Sequence, residues 1–282
     1  MSARASLVSE LYQGLPCWRL SLPGGDSLLV AEHGAHVLSW IAGGRERLFL
    51  SRRSIFDGQG AIRGGVPVCW PQFNQRGSGP KHGFARNLPW LTTAYDLGAE
   101  AALFELTLCS SERTRRLWPH EFELTLTISL QPGRLRLALA ARNTGAGPLA
   151  FGGALHGYFA CDDVARVELS GLQGRSEWDA LTDVHSSAAD PLRFDAEFDR
   201  VYSGVAAPMT LLDGAHGLRI SQGESWGDTV VWNPHAAKCA QLADMETDGW
   251  RRMLCVEAAR VFETVPLAPG AQWQGWQQLE IL

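Results

Sequence analysis

The segment FELTLTISL, residues 122–130, alternates apolar and polar side chains along its whole length. Successive side chains of a β-strand point to opposite faces, so this alternation predicts a strand with one apolar and one polar face. The next four residues, QPGR at 131–134, have the composition of a turn, and LRLAL at 135–139 resumes the alternation. The stretch therefore predicts a β-hairpin.

Short apolar patterns of this kind recur along the chain, bounded by glycine, proline, asparagine and aspartate. Helical patterns are confined to the first dozen residues and to residues 113–118, and both are short. Thirty glycines and fourteen prolines fit many turns, with no low-complexity linker or fixed-period repeat. We therefore expect an all-β fold, a large antiparallel β-sandwich forming one domain over residues 1–282. The clearest strands are predicted at residues 27–31, 101–109, 121–130, 135–141 and 273–279.

The composition argues against several classes of protein. The chain has 282 residues, of which 45% are hydrophobic and 20% charged, and its net charge of −5 disfavours nucleic acid or an anionic membrane as partner. The N-terminus lacks a signal-peptide pattern, and no stretch approaches the ~20 apolar residues of a membrane span. Six scattered cysteines without a CxxC pair fit buried thiols in a reducing compartment. We expect a cytoplasmic protein, monomeric by default.

Residues 58–95 contain no aspartate or glutamate, although the chain as a whole is acidic. The cations of this segment are Arg63, Arg76, Lys81 and Arg86, and His82 lies among them. A local positive field of this kind predicts an anionic ligand. The alternative is a chance gap, or cations that pair with carboxylates from elsewhere in the fold.

An irregular backbone is expected around Arg63, in the run AIRGGVPVCWP at residues 61–71. Gly64 and Gly65 could let a ligand approach the main chain, and an arginine fork matches phosphate oxygens. The run is therefore a candidate phosphate cradle. It is not a P-loop, because no GKS or GKT follows and the prolines prevent a helix.

Three further residues are candidates for acid–base chemistry. His82 and His156 each precede a glycine and an aromatic residue, in KHGFARN and LHGYF. Glu257 stands in the otherwise apolar MLCVEAA, and a buried carboxylate is costly unless it is ion-paired or functional. Burial would raise the pKa of Glu257 towards the range of a general base. Asp199 and Arg200 could instead form an ordinary exposed strand end.

Competing chemistries find little support in the sequence. His33 and His36 form HxxH, but without an HExxH helix or a Cys/His cluster they give a weak metal signal. No GxSxG elbow is present for a serine hydrolase, and nothing pairs two carboxylates as a glycosidase requires. Eleven tryptophans could stack on sugar rings, although most are expected to pack in the core.

Seven motifs together resemble one family. In chain order they are EHGAHVLSW (32–40), AIRGGVPVCWPQF (61–73), KHGFARNLPW (81–90), GGALHGYF (152–159), EFDRVY (197–202), DTVVWNP (228–234) and RRMLCVEAA (251–259). Their order and content are similar to the hexose-6-phosphate mutarotase branch of the aldose 1-epimerase family. The resemblance covers nearly the whole chain.

The resemblance implies a galactose-mutarotase-like supersandwich that interconverts the α and β anomers of D-glucose 6-phosphate without a cofactor or a metal. It implies His156 as general acid and Glu257 as general base. The pocket would be lined by Arg63, His82, Arg86 and Asp199, with Asp228 as a further member. The resemblance gives no expectation for Lys81, which would either add a phosphate contact or lie in solvent. Two alternatives stay open: a mutarotase for unphosphorylated aldoses, and a non-catalytic sugar-phosphate-binding protein.

Overall fold

The computed structural model describes residues 3–189 and 191–282, and this part of the chain forms twenty-one strands. In chain order they are β1 Ser6–Tyr12, β2 Leu15–Ser21, β3 Ser27–Ala31, β4 His36–Ala42, β5 Arg45–Glu46, β6 Val68–Cys69, β7 Leu91–Leu97, β8 Ala102–Cys109, β9 Phe122–Gln131, β10 Arg134–Asn143, β11 Leu149–Leu155, β12 Tyr158–Ala160, β13 Glu168–Ser170, β14 Ser176–Asp179, β15 Val184–Ser187, β16 Phe198–Ser203, β17 Met209–Asp213, β18 His216–Gln222, β19 Asp228–Asn233, β20 Met253–Leu267 and β21 Gln272–Ile281.

Helices are short. The two α-helices are α1 Glu112–Leu117 and α2 His235–Cys239, and 3₁₀ turns lie at Ala85–Asn87, Val164–Arg166, Glu224–Trp226 and Gly249–Arg252. No helix in the described residues is long and apolar enough to cross a membrane.

The strands form three antiparallel sheets. The first is a five-stranded meander in the order β1-β2-β3-β4-β5. The second has the order β13-β17-β18-β21-β10-β9-β8-β7. The third has the order β15-β14-β16-β19-β20-β11-β6, and β12 also pairs with β20. The expected all-β sandwich with large antiparallel sheets is confirmed.

The predicted hairpin is the β9–β10 pair. Gln131 is paired with Arg134, which leaves Pro132 and Gly133 as a two-residue turn, and Gly133 has a φ of 68° that favours glycine. Every second residue of β9, from Phe122 to Leu130, is buried. These side chains belong to a core cluster that draws on all three sheets, as a single domain requires. The extent of that domain, residues 1–282, stays a prediction.

The helical prediction for the first dozen residues was wrong, because Ser6–Tyr12 is an edge strand whose residues all pair with β2. Sheet hydrogen bonds that the local pattern does not reveal decide the conformation there. The helix predicted at 113–118 is confirmed as α1, shifted by one residue and started by a capping box between Ser111 and Thr114. Helix α2 was missed because five residues are too few for a periodic pattern.

Strand β20 positions the site. It lies between β19 and β11 in the third sheet, and its first seven residues, Met253 to Ala259, are all buried. Glu257 lies in this segment, opposite Val230 of β19. A carboxylate is therefore held at the centre of a sheet by strands on both sides.

Candidate functional site

A cavity of about 260 Å³ lies over the third sheet. It is lined by Arg63, Phe73, Asn74, Lys81, His82, His156, Leu181, Glu197, Asp199, Val230, Trp232, Lys238, Leu242 and Glu257. A larger cavity, of about 730 Å³, lies beside the first sheet, but three of its charged side chains are in ion pairs: Arg19 with Glu10, and Arg252 with Glu246. The smaller cavity is the candidate site because buried titratable groups converge on it.

His156 and Glu257 meet at the floor of the cavity. His156 follows the end of β11, and its Nε2 lies 3.4 Å from Oε1 of Glu257. The two residues are 6% and 1% exposed. Nδ1 of His156 and Oε2 of Glu257 have no hydrogen-bond partner within the described residues. Two unsatisfied polar atoms in a buried pair are unusual unless a ligand completes them.

Burial moves the pKa values of this pair in opposite directions. Desolvation raises the pKa of Glu257 well above its usual range; the charge of Asp199 adds to the rise and Arg86 opposes it. Desolvation lowers the pKa of His156 well below its usual range, and His82, Arg86 and Arg63 lower it further. Both directions bring an acid and a base towards each other in proton affinity, which is the condition for easy proton transfer.

His82 faces His156 edge-on, with ring centroids 5.5 Å apart. Its Nδ1 accepts a hydrogen bond from the backbone N–H of Asn74 at 3.2 Å, which assigns the proton to Nε2. Burial, reinforced by Arg86, Lys81 and Arg63, lowers the pKa of His82 to about 2. His82 is therefore a neutral hydrogen-bond donor.

Asp199 and Arg200 of β16 have different environments. Asp199 lines the cavity, and burial raises its pKa to about 6, against the opposing charge of Lys81. Arg200 is ion-paired with Glu177 at 3.0 Å and with Asp179 at 3.5 Å. The alternative of an ordinary exposed strand end thus fails for Asp199, which is only partly exposed.

Arg63 lines the cavity, but other side chains already hold its guanidinium. Nε and Nη2 donate to the carboxylate of Asp244 at 3.1–3.3 Å, and Nη1 donates to the hydroxyl of Tyr158 at 3.1 Å. Arg63 is thus paired with a carboxylate from outside residues 58–95, which was the alternative to a ligand for the cations of that segment. The ring of Tyr158 in turn stacks on His156, with centroids 4.8 Å apart and planes 8° from parallel.

The glycines beside Arg63 do not make a phosphate cradle. Gly64 and Gly65 have φ values of 119° and 61°. A Cβ at Gly64 would lie 2.3 Å from the carbonyl oxygen of Phe49, and a Cβ at Gly65 would lie 2.2 Å from that of Val37. These glycines are required for close packing of main chain on main chain, which corrects the expectation of a ligand there.

Arg86 and Asp228 lie outside the cavity lining. Arg86 donates from Nη2 to the carbonyl of Lys81 at 3.0 Å, and its charge lowers the pKa values of His82 and His156. Asp228 is buried, and its Oδ2 accepts the backbone N–H groups of Val261 and Phe262 at 2.8 and 3.2 Å. The Asp228 carboxylate therefore fastens β19 to β20.

The cavity contains both lysines of the chain. Lys81 and Lys238 are the only lysines in the sequence, and each lines the cavity. No carboxylate pairs with either ammonium group within the described residues. Burial lowers the pKa of Lys81, as do the like charges of Arg86, Lys238 and Arg63. Cations this crowded and unpaired attract an anion.

Several lining residues were missed in the sequence. Lys238 lies on α2, shortly after the DTVVWNP motif, and its signal was the absence of any other lysine besides Lys81. Trp232 was not among the predicted site residues, yet its ring meets those of His156 and Tyr158 edge-on, at 6.3 and 6.2 Å. Asp244 gave no signal, because it lies outside every motif.

One cluster in the described residues could hold a metal ion. The donor atoms of His156, Cys255 and Glu257 lie within 4.8 Å of one another. A cation bound there would occupy the side chains of His156 and Glu257 to which the resemblance assigns acid–base roles. The six cysteines are all free, and Cys109 alone among them is exposed.

Comparison with known proteins identifies the family. A model of the family described as aldose 1-epimerase matches residues 16–280. The chain is 34% identical over 255 residues to a candidate glucose-6-phosphate 1-epimerase of Cenchrus ciliaris, covering 86% of this chain and 78% of the relative. It is 38% identical over 242 residues to a candidate glucose-6-phosphate 1-epimerase of Escherichia coli, covering 83% of this chain and 80% of the relative.

Solved structures of related proteins share the fold of this chain. The crystal structure of a candidate mutarotase from Salmonella typhimurium superimposes with a TM-score of 0.90 at 30% identity, over 98% of this chain and 93% of the other. A galactose mutarotase-like protein from Clostridium acetobutylicum has a TM-score of 0.75 at 14% identity, over 99% and 98% of the two chains. The expected galactose-mutarotase-like fold is thus confirmed, and the chain belongs to the aldose 1-epimerase family.

Proposed function

We propose that this protein interconverts the α and β anomers of a hexose 6-phosphate, D-glucose 6-phosphate foremost. The observation that carries the proposal is a buried Glu257–His156 pair on the floor of a cavity that also holds the chain's only two lysines. The names of the relatives, glucose-6-phosphate 1-epimerase, support the same substrate. Six free cysteines support a cytoplasmic location, and a monomer is the default assembly.

Ring opening requires two proton transfers at once. The hydroxyl on C1 must lose its proton while the ring oxygen O5 gains one, and the C1–O5 bond then breaks to leave an aldehyde. In the charged form of the pair, the Glu257 carboxylate takes the first proton and the His156 imidazolium gives the second. Rotation about C1–C2 and closure on the other face of the aldehyde, with both transfers reversed, gives the other anomer. Each positioned acid or base contributes ~10²–10⁴-fold.

Three other groups hold the sugar during this rotation. Asp199, ionised above its pKa of about 6, accepts hydrogen bonds from sugar hydroxyls. Nε2 of His82 donates one. The indole of Trp232 offers an apolar face to the C–H groups of the ring. A sugar held at several points loses less orientation between opening and closure.

Lys81 and Lys238 bind the phosphate. Both are exposed enough to leave the dianion partly hydrated, and both lie in the lining that His156 and Glu257 share. Two unpaired cations around a phosphate give charge-assisted hydrogen bonds without a buried charge pair to desolvate. Arg86 adds to the positive field from outside the lining.

Two-dimensional NMR exchange on glucose 6-phosphate tests the proposal. We expect cross-peaks between the α and β anomeric protons to grow with protein concentration, and to vanish in Glu257→Gln and His156→Ala. Unchanged exchange in these variants would reject the mechanism. Calorimetric binding of glucose 6-phosphate without any anomer exchange would favour the non-catalytic alternative.

A second comparison decides between phosphorylated and free sugars. Glucose and glucose 6-phosphate are assayed side by side with the wild-type protein. A much higher kcat/KM for the phosphate ester supports the proposal, and equal values for the two sugars would favour a mutarotase for unphosphorylated aldoses.

A further inference from the structure

A chain of contacts runs from Asp244 to His156 through two intermediate side chains. The Asp244 carboxylate holds the Nε and Nη2 edge of Arg63, the Nη1 of Arg63 donates to the Tyr158 hydroxyl, and the Tyr158 ring stacks on the His156 imidazole. We propose that Asp244 and Tyr158 are positioning residues that fix His156 through Arg63. The proposal rests on the acid role of His156 given above.

The first contact fixes Arg63. Its side chain is 23% exposed and that of Asp244 is 24% exposed, so both charges are largely removed from water. A two-pronged contact of this kind restrains the plane of the guanidinium as well as its position. Three of the five N–H groups are used by Asp244 and Tyr158, which leaves two for a substrate. Arg63 is therefore fixed in position and can in turn orient its neighbours.

The loop that carries Asp244 is itself anchored. Two residues on, the Glu246 carboxylate accepts the Ser51 hydroxyl at 2.7 Å and the Arg52 N–H at 3.1 Å. The N–H of Ser51 in turn donates to the carbonyl of Arg63. Both ends of the Asp244–Arg63 contact thus belong to segments that are hydrogen-bonded to each other. A rigid support of this kind can transmit position to the next side chain.

The second contact carries that position to His156. Tyr158 is only 3% exposed, and Trp232 meets both the Tyr158 and the His156 ring edge-on. Because Nδ1 of His156 has no hydrogen-bond partner in the described part of the chain, no hydrogen bond there orients the ring. Stacking on Tyr158 orients the ring instead. A general acid whose ring turned freely would reach the O5 position only part of the time.

The same residues also influence the protonation of His156 through their charges. The titratable groups that act on His156 are Glu257 on β20, His82 and Arg86 on the segment before β7, and Arg63. Of these, Arg63 lowers the pKa of His156, and the Asp244 carboxylate beside Arg63 opposes that effect. Loss of the Asp244 charge would leave Arg63 uncompensated and would make His156 harder to protonate.

The test compares Asp244→Asn and Tyr158→Phe with Asp162→Asn. Asp162 also pairs with an arginine, Arg45 at 2.8 Å, but outside the cavity lining. We expect both site variants to lower kcat for glucose 6-phosphate about 10- to 100-fold with KM within about twofold of wild type. Asp244→Asn should also move the limb of the kcat profile that reports His156 to lower pH. Asp244→Glu should restore part of the rate.

A second readout does not depend on activity. The Tyr158 ring current shields the ring protons of His156, so in Asp244→Asn their NMR signals should move towards those of an unstacked imidazole, while Asp162→Asn leaves them in place. Unmoved His156 signals, or a raised KM with kcat unchanged, would overturn the positioning role. If the wild type shows no anomer exchange, the proposed function fails, and the NMR signals still decide the contact chain. Tyr158→Phe keeps the ring but removes the hydroxyl that accepts from Arg63. It therefore tests the same chain of contacts if Asp244→Asn does not fold.

Discussion

Oε1 of Glu257 lies 3.4 Å from Nε2 of His156, across the junction of β20 and the end of β11. The other oxygen of the same carboxylate has no hydrogen-bond partner in the residues that the structure describes. A buried carboxylate in this condition costs stability and gains reactivity, because nothing but a ligand satisfies it.

Glu257→Gln should lose anomer exchange while keeping the shape of the site. The amide is almost the same size as the carboxylate but cannot accept a proton, so kcat should fall by about 10²- to 10⁴-fold. KM for glucose 6-phosphate should change little, because the phosphate contacts remain. NMR exchange at several substrate concentrations measures both constants, and a variant that retains wild-type kcat would remove Glu257 from the mechanism.

The same variant should be more stable than the wild type at high pH. The folded-state pKa of Glu257 is raised above its unfolded value, so stability is fully present below the unfolded value and is lost as pH rises through the folded value. The amide of the Glu257→Gln variant does not ionise and escapes this loss. We expect the Tm of the variant to exceed that of the wild type by about 2–4 °C at pH 9, with a smaller difference at pH 5. Calorimetry at both pH values checks this, and a Tm difference that does not grow with pH contradicts it.

Asp199 should set the acid limb of activity. Its pKa is raised to about 6, so lowering the pH through 6 protonates the carboxylate and removes its capacity to accept two hydroxyl hydrogen bonds. We expect kcat/KM to decline below about pH 6, and the component of that decline due to Asp199 to disappear in Asp199→Asn. Because the Asp199 charge raises the pKa of Glu257, any remaining limb should also move to lower pH. Asp96→Asn, on the exposed edge strand β7, is the control and should keep the wild-type profile.

Lys81→Gln and Lys238→Gln should each raise KM for glucose 6-phosphate about 10-fold and leave kcat within a small factor. The phosphate contact is remote from the reacting atoms, so its loss weakens binding in ground and transition states alike. Rates on glucose should be unaffected. No third lysine exists, so the matched control is Arg116→Gln on α1, an exposed cation paired with Glu112. An unchanged KM in both lysine variants would mean that the phosphate binds elsewhere.

Amine-directed labelling should be confined to the cavity and the chain terminus. Pyridoxal 5′-phosphate condenses with an amine to an imine and water, and borohydride reduces that imine to a stable secondary amine. We expect peptide mass spectrometry to find Lys81, Lys238 and the terminal amine labelled, since the chain has no other lysine. Glucose 6-phosphate should protect the two lysines and glucose should not. Equal protection of the terminal amine would mean that the sugar phosphate acts only by consuming reagent.

Strand positions followed from the sequence wherever alternation and turn residues agreed. The hairpin at residues 122–139 needed only period two and Pro-Gly, because both strands bury one face. Ser6–Tyr12 could not be found in this way, because none of its residues is fully buried and pairing with β2 decides the outcome. A local sequence pattern predicts which residues of a strand are buried, and this prediction is poor for strands at sheet edges.

The site was predictable to the extent that its chemistry is unusual for its surroundings. Glu257 stood out as a charge in an apolar strand, and the acid-free segment pointed to Arg63, Lys81 and His82, all of which line the cavity. Asp244 could not be found, since an aspartate in a polar loop is ordinary until the fold places it against Arg63. Arg86 and Asp228 share motifs with lining residues but are not part of the lining, which spacing alone cannot reveal.

The proposed catalytic base lies in the part of the fold that we expect to open last. Strand β20 is paired with β19, β11 and β12, and its first seven residues are buried, so exchange of its amide hydrogens requires nearly global unfolding. Lys238 lies on a five-residue helix and Lys81 on a loop, whose local opening costs far less. Rising temperature or denaturant should therefore weaken phosphate binding by Lys81 and Lys238 first. His156 and Glu257 should keep their arrangement until the whole domain unfolds.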